Sequence, residues 1–77
     1  MKLTKNQLQF IFNCDVETMV SYLVDEYKLS DLEAFDKVYT SNIYQKLVDT
    51  KTGLYLQSPD YIYSYLLSEL NNKGIAN

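Results

Sequence analysis

The sequence lacks histidine and tryptophan, and it contains one cysteine, one proline and two glycines among its 77 residues. The absence of histidine removes the most common general base and the most common metal ligand. A single cysteine, Cys14, allows neither an internal disulfide nor a zinc site built from several cysteines. So little glycine and proline argues against a turn-rich β fold, whereas 47% hydrophobic residues argue against intrinsic disorder. We expect a folded, non-enzymatic protein without a cofactor or metal.

Arginine is also absent, and the seven lysines are outnumbered by ten acidic residues, which gives a net charge of −3. Arginine supplies the bidentate contacts to guanine and phosphate, and phosphate binding needs a basic face. The composition therefore disfavours nucleic acid as a partner. No run of about 20 apolar residues predicts a membrane span, and no continuous apolar segment near the N-terminus predicts a signal peptide. With a lone thiol, these features favour a cytoplasmic protein.

The first helical signal is a capping box formed by Thr4 and Gln7, and an apolar pattern with helical spacing follows it to about Tyr27. Asn13 and Asp15 could instead interrupt the helix, with Asp15 capping a second one; we favour one long helix. Seven apolar residues share one arc of about 120° and predict the core-facing stripe. They are Leu8, Phe12, Val16, Met19, Val20, Leu23 and Tyr27.

Two further start signals divide the rest of the chain. Ser30 and Glu33 form a second capping box, and Ser58 followed by Pro59 is typical of a helix N-terminus. Between them, the cap-forming residues 40–42 separate two short helices. The predicted helices cover about residues 5–27, 31–39, 42–48 and 59 to 71 or 72, with Gly74 as a stop and a frayed tail at 75–77. The second helix carries Leu32, Phe35, Val38 and Tyr39 at helical spacing.

Residues 49–57 connect the third helix to the last. Residues 49–53 predict a turn in which Gly53 can adopt a positive φ. The pattern predicts a short extended segment over Leu54, Tyr55, Leu56 and Gln57, in which the first three residues are buried. The predicted fold class is therefore all-α: a compact bundle of about four helices, two long and two short, with a short extended crossing before the last helix. The bundle forms one domain over residues 1–77.

Tyrosine is the compositional anomaly, with eight copies. In the last helix, Tyr61 and Tyr65 are spaced i,i+4 and can stack into one surface ridge beside an apolar arc. Tyrosine is enriched at interfaces because a large ring with a polar tip is held by only two χ angles. The rings could either close the edge of a small core or bind a partner. The candidate anchors for a partner are Tyr61, Tyr65, Tyr55 and Phe10, with Asp25 and Glu26 as charges at the rim.

Phe10, Ile11 and Cys14 lie off the core stripe of the first helix. They could contact another helix of the same fold, which we expect, or a second protein. We expect Cys14 to be a small buried hydrophobe, because no histidine or neighbouring lysine is placed to activate its thiol as a nucleophile. The acidic residues of the first two helices, including Asp15 and Glu17, predict a solvated face that could meet a basic partner.

Two segments of the chain resemble a class of small bacterial proteins. They are FIFNC at 10–14, and TGLY at 52–55 with SPDYIY at 58–63 and Leu66. The class comprises uncharacterised, all-helical domain-of-unknown-function proteins, some of which look like the small partner of a toxin–antitoxin pair. The resemblance implies an all-helical bacterial protein with an antitoxin-like role.

We therefore predict a binding module that docks on another protein, such as a toxin encoded nearby, and occludes its working surface with aromatic anchors. The alternative is a homodimer in which the off-stripe face of the first helix pairs with its twofold copy. A small DNA-binding regulator is less favoured. Its helix-turn-helix would use the third helix for recognition, which offers only Asn42, Gln45 and Lys46.

Overall fold

The computed structural model describes residues 2–72, and these residues fold into four α-helices without a β-strand. The helices are α1 (Lys5–Tyr27), α2 (Asp31–Tyr39), α3 (Asn42–Val48) and α4 (Pro59–Asn72), with single 3-10 turns at Thr50–Thr52 and Leu54–Leu56. The prediction of an all-α fold with two long and two short helices is confirmed. The predicted stop at Gly74 and the predicted frayed tail at 75–77 lie outside the described residues.

α1 begins at the predicted capping box and continues as one helix for 23 residues. The Gln7 N–H donates to Thr4 Oγ1 over 3.1 Å, and the Thr4 N–H donates to Gln7 Oε1 over 2.8 Å. Two backbone donors at the helix start are thereby satisfied. The helix ends at Lys28, where φ is 58° and the N–H donates to the Val24 carbonyl over 3.1 Å. The prediction of one long helix is confirmed.

Serine hydroxyls start the two short helices. Ser30 Oγ accepts the Glu33 N–H over 3.2 Å, while the Ser30 N–H donates to Glu33 Oε1 over 3.0 Å. The buried Ser41 hydroxyl accepts the Tyr44 N–H over 3.0 Å and donates to the Val38 carbonyl over 2.6 Å. One hydroxyl therefore caps α3 and ties it to the end of α2.

The core lies where α1 packs against α2 and α4, and α3 closes it against α4. The predicted α1 stripe supplies five buried side chains, and its two end residues, Leu8 and Tyr27, are half-buried. α2 turns the small Ala34 inward with Val38, so that Leu32 is left 83% exposed. The buried apolar residues are Phe12, Val16, Met19, Val20, Leu23, Ala34, Val38, Ile43, Leu47, Ile62, Tyr63, Leu66 and Leu70.

The prediction of an extended segment before the last helix is wrong, because Leu54–Leu56 forms a 3-10 turn. The Leu56 N–H donates to the Gly53 carbonyl and the Gln57 N–H to the Leu54 carbonyl, both over 3.0 Å. A four-residue segment with no strand beside it satisfies its backbone locally in this way. The turn is also less buried than predicted, since Leu56 is 71% exposed.

The prediction that the off-stripe residues of α1 are buried is wrong for Phe10, which is 69% exposed, and for Cys14, which is also exposed. Phe12 is the first buried residue along α1, and before it only Leu8 and Ile11 are half-buried within this helix. Phe10 and Cys14 lie on the side of α1 that faces away from its core stripe, where Glu17 and Ser21 are exposed too. The 23 residues of α1 span about 34 Å, whereas the 14 residues of α4 span about 21 Å. The molecule is correspondingly elongated, 41 Å by 21 Å by 18 Å.

None of the helices formed by residues 2–72 combines the length and the apolar character that crossing a bilayer requires.

Candidate interaction surface

A groove of about 360 Å³ lies between α3, the two 3-10 turns and the start of α4. We call it the tyrosine groove, because Tyr61 and Tyr65 line it along α4. Ile43 and Leu54 contribute apolar surface, and Lys46 is the lysine among its lining residues. A concave apolar surface with a few polar groups is the usual form of a binding site.

Tyr61 and Tyr65 form the predicted surface ridge. Their rings meet edge to face, with centroids 5.0 Å apart and an interplanar angle of 81°. Their hydroxyl oxygens lie 2.8 Å apart in a hydrogen bond, which raises the pKa of the Tyr61 hydroxyl. The two side chains remain 46% and 44% exposed. Each ring therefore restricts the rotamers of the other while both still face solvent.

The loop that forms the opposite wall of the tyrosine groove is held by Thr52. Its single hydroxyl proton is shared between the Lys46 carbonyl oxygen, 2.6 Å from Oγ1, and the Asp49 carbonyl oxygen, 2.9 Å from Oγ1. The same hydroxyl oxygen accepts the Leu54 N–H over 3.2 Å. Gly53 follows with a φ of 70°, a conformation that favours glycine. The wall is therefore fixed by its own hydrogen bonds and by the packing of Leu54 and Tyr55 against the core.

A second set of tyrosines joins α1 to α4. Tyr22 donates its hydroxyl to Asp60 Oδ1 over 2.6 Å, and Tyr63 donates its hydroxyl to Glu26 Oε1 over 3.1 Å. The rings of Tyr22 and Tyr63 lie 4.8 Å apart. The hydrogen bond to Asp60 is the main cause that raises the pKa of Tyr22, and burial is the main cause that raises the pKa of Tyr63. These tyrosines hold the bundle together.

The six residues predicted to bind a partner do not form one patch. Tyr61 and Tyr65 lie together, as described. Tyr55 is half-buried and packs its ring edge to face on Phe12, with centroids 6.3 Å apart. Phe10 lies on the exposed side of α1, and Glu26 accepts the Tyr63 hydroxyl. Asp25 lines a separate groove.

That separate groove, about 260 Å³ in volume, lies between the C-terminal half of α1 and the start of α2. We call it the acidic groove. Its lining residues are three acidic and three apolar side chains and one serine: Glu17, Asp25, Asp31, Val20, Val24, Phe35 and Ser21. The sequence showed acidic residues on both helices, but only the packing of α1 on α2 brings these three together around an apolar floor.

The prediction that Asp15 lies on a solvated face is wrong. Only 6% of its surface is exposed, and its Oδ2 atom is buried without a hydrogen-bond partner. Burial raises its pKa from 3.8 to about 6. Its position near the edge of the apolar stripe of α1 was the only available signal. A single buried carboxyl of this kind can bind and release a proton. Among residues 2–72, no three metal-ligating side chains lie together in a group that could hold a metal ion.

Comparisons with protein-family models, with curated proteins and with solved structures found no match to this chain.

Proposed function

We propose that this protein is a non-enzymatic module that binds another protein through the tyrosine groove. The observation that carries the proposal is the pair formed by Tyr61 and Tyr65, two half-exposed rings that hold each other by a ring contact and a 2.8 Å hydrogen bond. Aromatic side chains that are already ordered lose little conformational entropy when a partner covers them. They are therefore well suited to be the central anchors of an interface.

The groove beside the ridge supports the same proposal. Ile43 and Leu54 give it an apolar surface that a partner side chain can fill, and Lys46 supplies a charge. The loop wall is fixed by the Thr52 hydrogen bonds, so the groove exists before the partner arrives. A preformed groove with two aromatic anchors is typical of a surface that accepts a helix or an extended segment of another protein.

The finer proposal is that binding regulates the partner by covering its working surface, as a small antitoxin covers a toxin. It depends on the tyrosine groove together with the resemblance of segments 10–14 and 52–66 to small bacterial proteins of that kind. The natural candidate for the partner is the product of the adjacent gene.

The test is co-purification of the tagged full-length chain with the co-expressed product of the adjacent gene. We expect the double variant Tyr61→Ala/Tyr65→Ala to lose the complex with little change in its thermal unfolding. Tyr39→Ala is the matched control, because Tyr39 is 44% exposed on α2, away from the groove. Loss of the complex in the control alone would overturn the proposal, as would unfolding of the double variant, which would return both rings to a structural role.

A further inference from the structure

The first turns of α1 present an uncovered aromatic ring. Phe10 is 69% exposed, although Leu8, two residues before it, packs against the core and Phe12, two residues after it, is part of the core. A single exposed apolar residue is ordinary and carries no inference by itself. Its significance comes from the acidic groove, which lies on the same helix.

Phe10 and the α1 wall of the acidic groove lie along one side of α1. At 100° per residue, Glu17 and Ser21 each lie about 20° from Phe10 around the helix axis, on opposite sides of it. Along the axis, Ser21 lies about 16 Å from Phe10 at 1.5 Å per residue. The ring and the groove are thus a projection and a recess on one face, and the exposed Cys14 lies between them.

The two ends of this face carry opposite charge. The N-terminal end has Lys2, Lys5 and the positive end of the helix dipole, with no acidic residue in the first turn. The other end has the three acidic residues of the groove. Within the described chain, no hydrogen bond or ion pair engages their carboxylates; the nearby Lys28 Nζ donates instead to the Asp25 main-chain carbonyl over 2.9 Å.

We propose that the protein forms a symmetric homodimer in which two α1 helices pair antiparallel about a twofold axis close to Cys14. In this arrangement each Phe10 enters the acidic groove of the second copy, and each basic helix start meets Asp25 at the far end of that groove, whereas the two Glu17 residues lie near the axis. One twofold contact covers both projections and both recesses, and it closes without leaving either surface free for further copies. The inference goes beyond the proposed function, because the dimer uses neither Tyr61 nor Tyr65.

The geometry makes a prediction that a different occupant would not share. A twofold axis near Cys14 brings the two Glu17 carboxylates close to each other, and like charges at an interface repel. Removing that charge with Glu17→Gln should therefore tighten the dimer. If the acidic groove instead bound a cationic segment of another protein, Glu17→Gln would weaken that complex.

Sedimentation equilibrium of the full chain, from low to high micromolar concentration, tests the proposal. We expect a reversible monomer–dimer equilibrium that weakens at high salt. Phe10→Ala should raise the dimer Kd at least about tenfold, because two buried anchors are lost per dimer. Asp25→Lys should raise it about three- to tenfold. Asp36→Lys, which makes the same charge change on α2 outside the acidic groove, should change it less than about twofold.

Crosslinking at Cys14 tests the position of the axis. A short bis-maleimide should join two copies of the wild-type chain efficiently, less efficiently in Phe10→Ala, and not at all in Cys14→Ser. A strict monomer, or a dimer that Phe10→Ala leaves unchanged, would overturn the proposal. A dimer that crosslinks poorly at Cys14 and is broken by Tyr61→Ala/Tyr65→Ala would place the contact in the tyrosine groove and overturn it as well. If the dimer proposal fails, the proposed binding of another protein by the tyrosine groove is not affected, because the co-purification experiment tests it separately.

Discussion

Glu69, on α4, accepts the backbone N–H of Asn42 at the first position of α3 over 2.8 Å. Its other carboxylate oxygen accepts the next N–H, that of Ile43, over 3.1 Å. Ser41 Oγ accepts the third, from Tyr44. The first three N–H groups of a seven-residue helix are thus satisfied by side chains, and two of them by a residue 26 or 27 positions away. A helix this short is unstable alone, so α3 depends on this contact together with the burial of Ile43 and Leu47 in the core.

The first prediction concerns this contact. Glu69→Ala should lower the free energy of unfolding by about 1.5–3 kcal/mol, the usual range for hydrogen bonds to a charged group. Glu69→Gln keeps one acceptor oxygen and should lose less. Urea unfolding followed by circular dichroism measures both. Asp36→Ala, at an exposed position on α2, is the control and should change the free energy by at most about 0.5 kcal/mol. An equal, small effect of Glu69→Ala would show that the bonds contribute no net stability.

The second prediction compares the two capping boxes. Ser30→Ala should lower the free energy of unfolding by about 1 kcal/mol, because it removes the cap of a helix whose first turn leads directly to the buried Ala34. In a domain of this size that corresponds to a fall in Tm of about 4–8 °C. Thr4→Ala removes the equivalent cap from the start of α1. That end can fray without global unfolding, so the free energy of unfolding should fall by less than in Ser30→Ala. Equal losses in Tm would show that the first turns of α1 are packed more firmly than their exposure indicates.

Local features of the fold were predictable from the sequence because their causes lie within a few residues. The capping boxes at Thr4 and Ser30 involve positions three apart, and the apolar stripe of α1 follows from the helical period. The helix bounds agree for the same reason. The contact of Tyr61 with Tyr65 is likewise an i,i+4 relationship, so the ridge was predictable although its function was not.

Features that depend on how the helices pack were not predictable. On α2, the pattern predicted Leu32 for the apolar face and did not indicate Ala34, yet Ala34 is fully buried where α2 packs on α1 and Leu32 is exposed. The burial of Asp15 has the same origin, since neighbouring elements cover one edge of α1 that the sequence marks as polar. The acidic groove requires two helices at a fixed crossing. Phe10 is exposed because it lies on the side of α1 that faces away from the core, where Glu17 and Ser21 are exposed as well. The sequence alone could not show that no other part of the described chain covers this side.

The third prediction concerns backbone conformation at Gly53, where φ is 70°. A Cβ atom at this position would meet nothing within 4 Å, so the cost of Gly53→Ala is backbone strain alone, about 1–2 kcal/mol. Gly53→Asn should cost less, because asparagine tolerates this conformation. Lys28 occupies the same region with a φ of 58°, so Lys28→Gly should relieve strain there and raise Tm slightly. Thermal unfolding of the three variants measures the expected fall in Tm at Gly53 and the expected rise at Lys28. A Gly53→Ala variant with unchanged Tm would contradict the strain argument.

The fourth prediction concerns pH and Asp15. Burial raises the pKa of this carboxyl from 3.8 to about 6, so between these values the folded chain binds a proton that the unfolded chain releases. The contribution of Asp15 to stability therefore falls as the pH rises through this window, and the full penalty applies above about pH 6. One pKa unit corresponds to about 1.4 kcal/mol, which sets an upper limit of about 3 kcal/mol. Water that reaches the ionised group keeps the actual penalty below this limit, so we expect a value between about 1 and 3 kcal/mol.

Asp15→Asn isolates this contribution, because asparagine has nearly the same shape and does not ionise. We expect the variant to gain about 1–3 kcal/mol over the wild type between pH 4 and pH 7.5, with most of the gain between pH 4 and pH 6. Urea unfolding across this range measures the difference, with Asp36→Asn as an exposed control that should show none. A stability difference between Asp15→Asn and the wild type that does not change with pH would mean that the carboxyl ionises in the folded chain as it does in the unfolded one. The buried Oδ2 atom would then have to find a hydrogen-bond donor in solution.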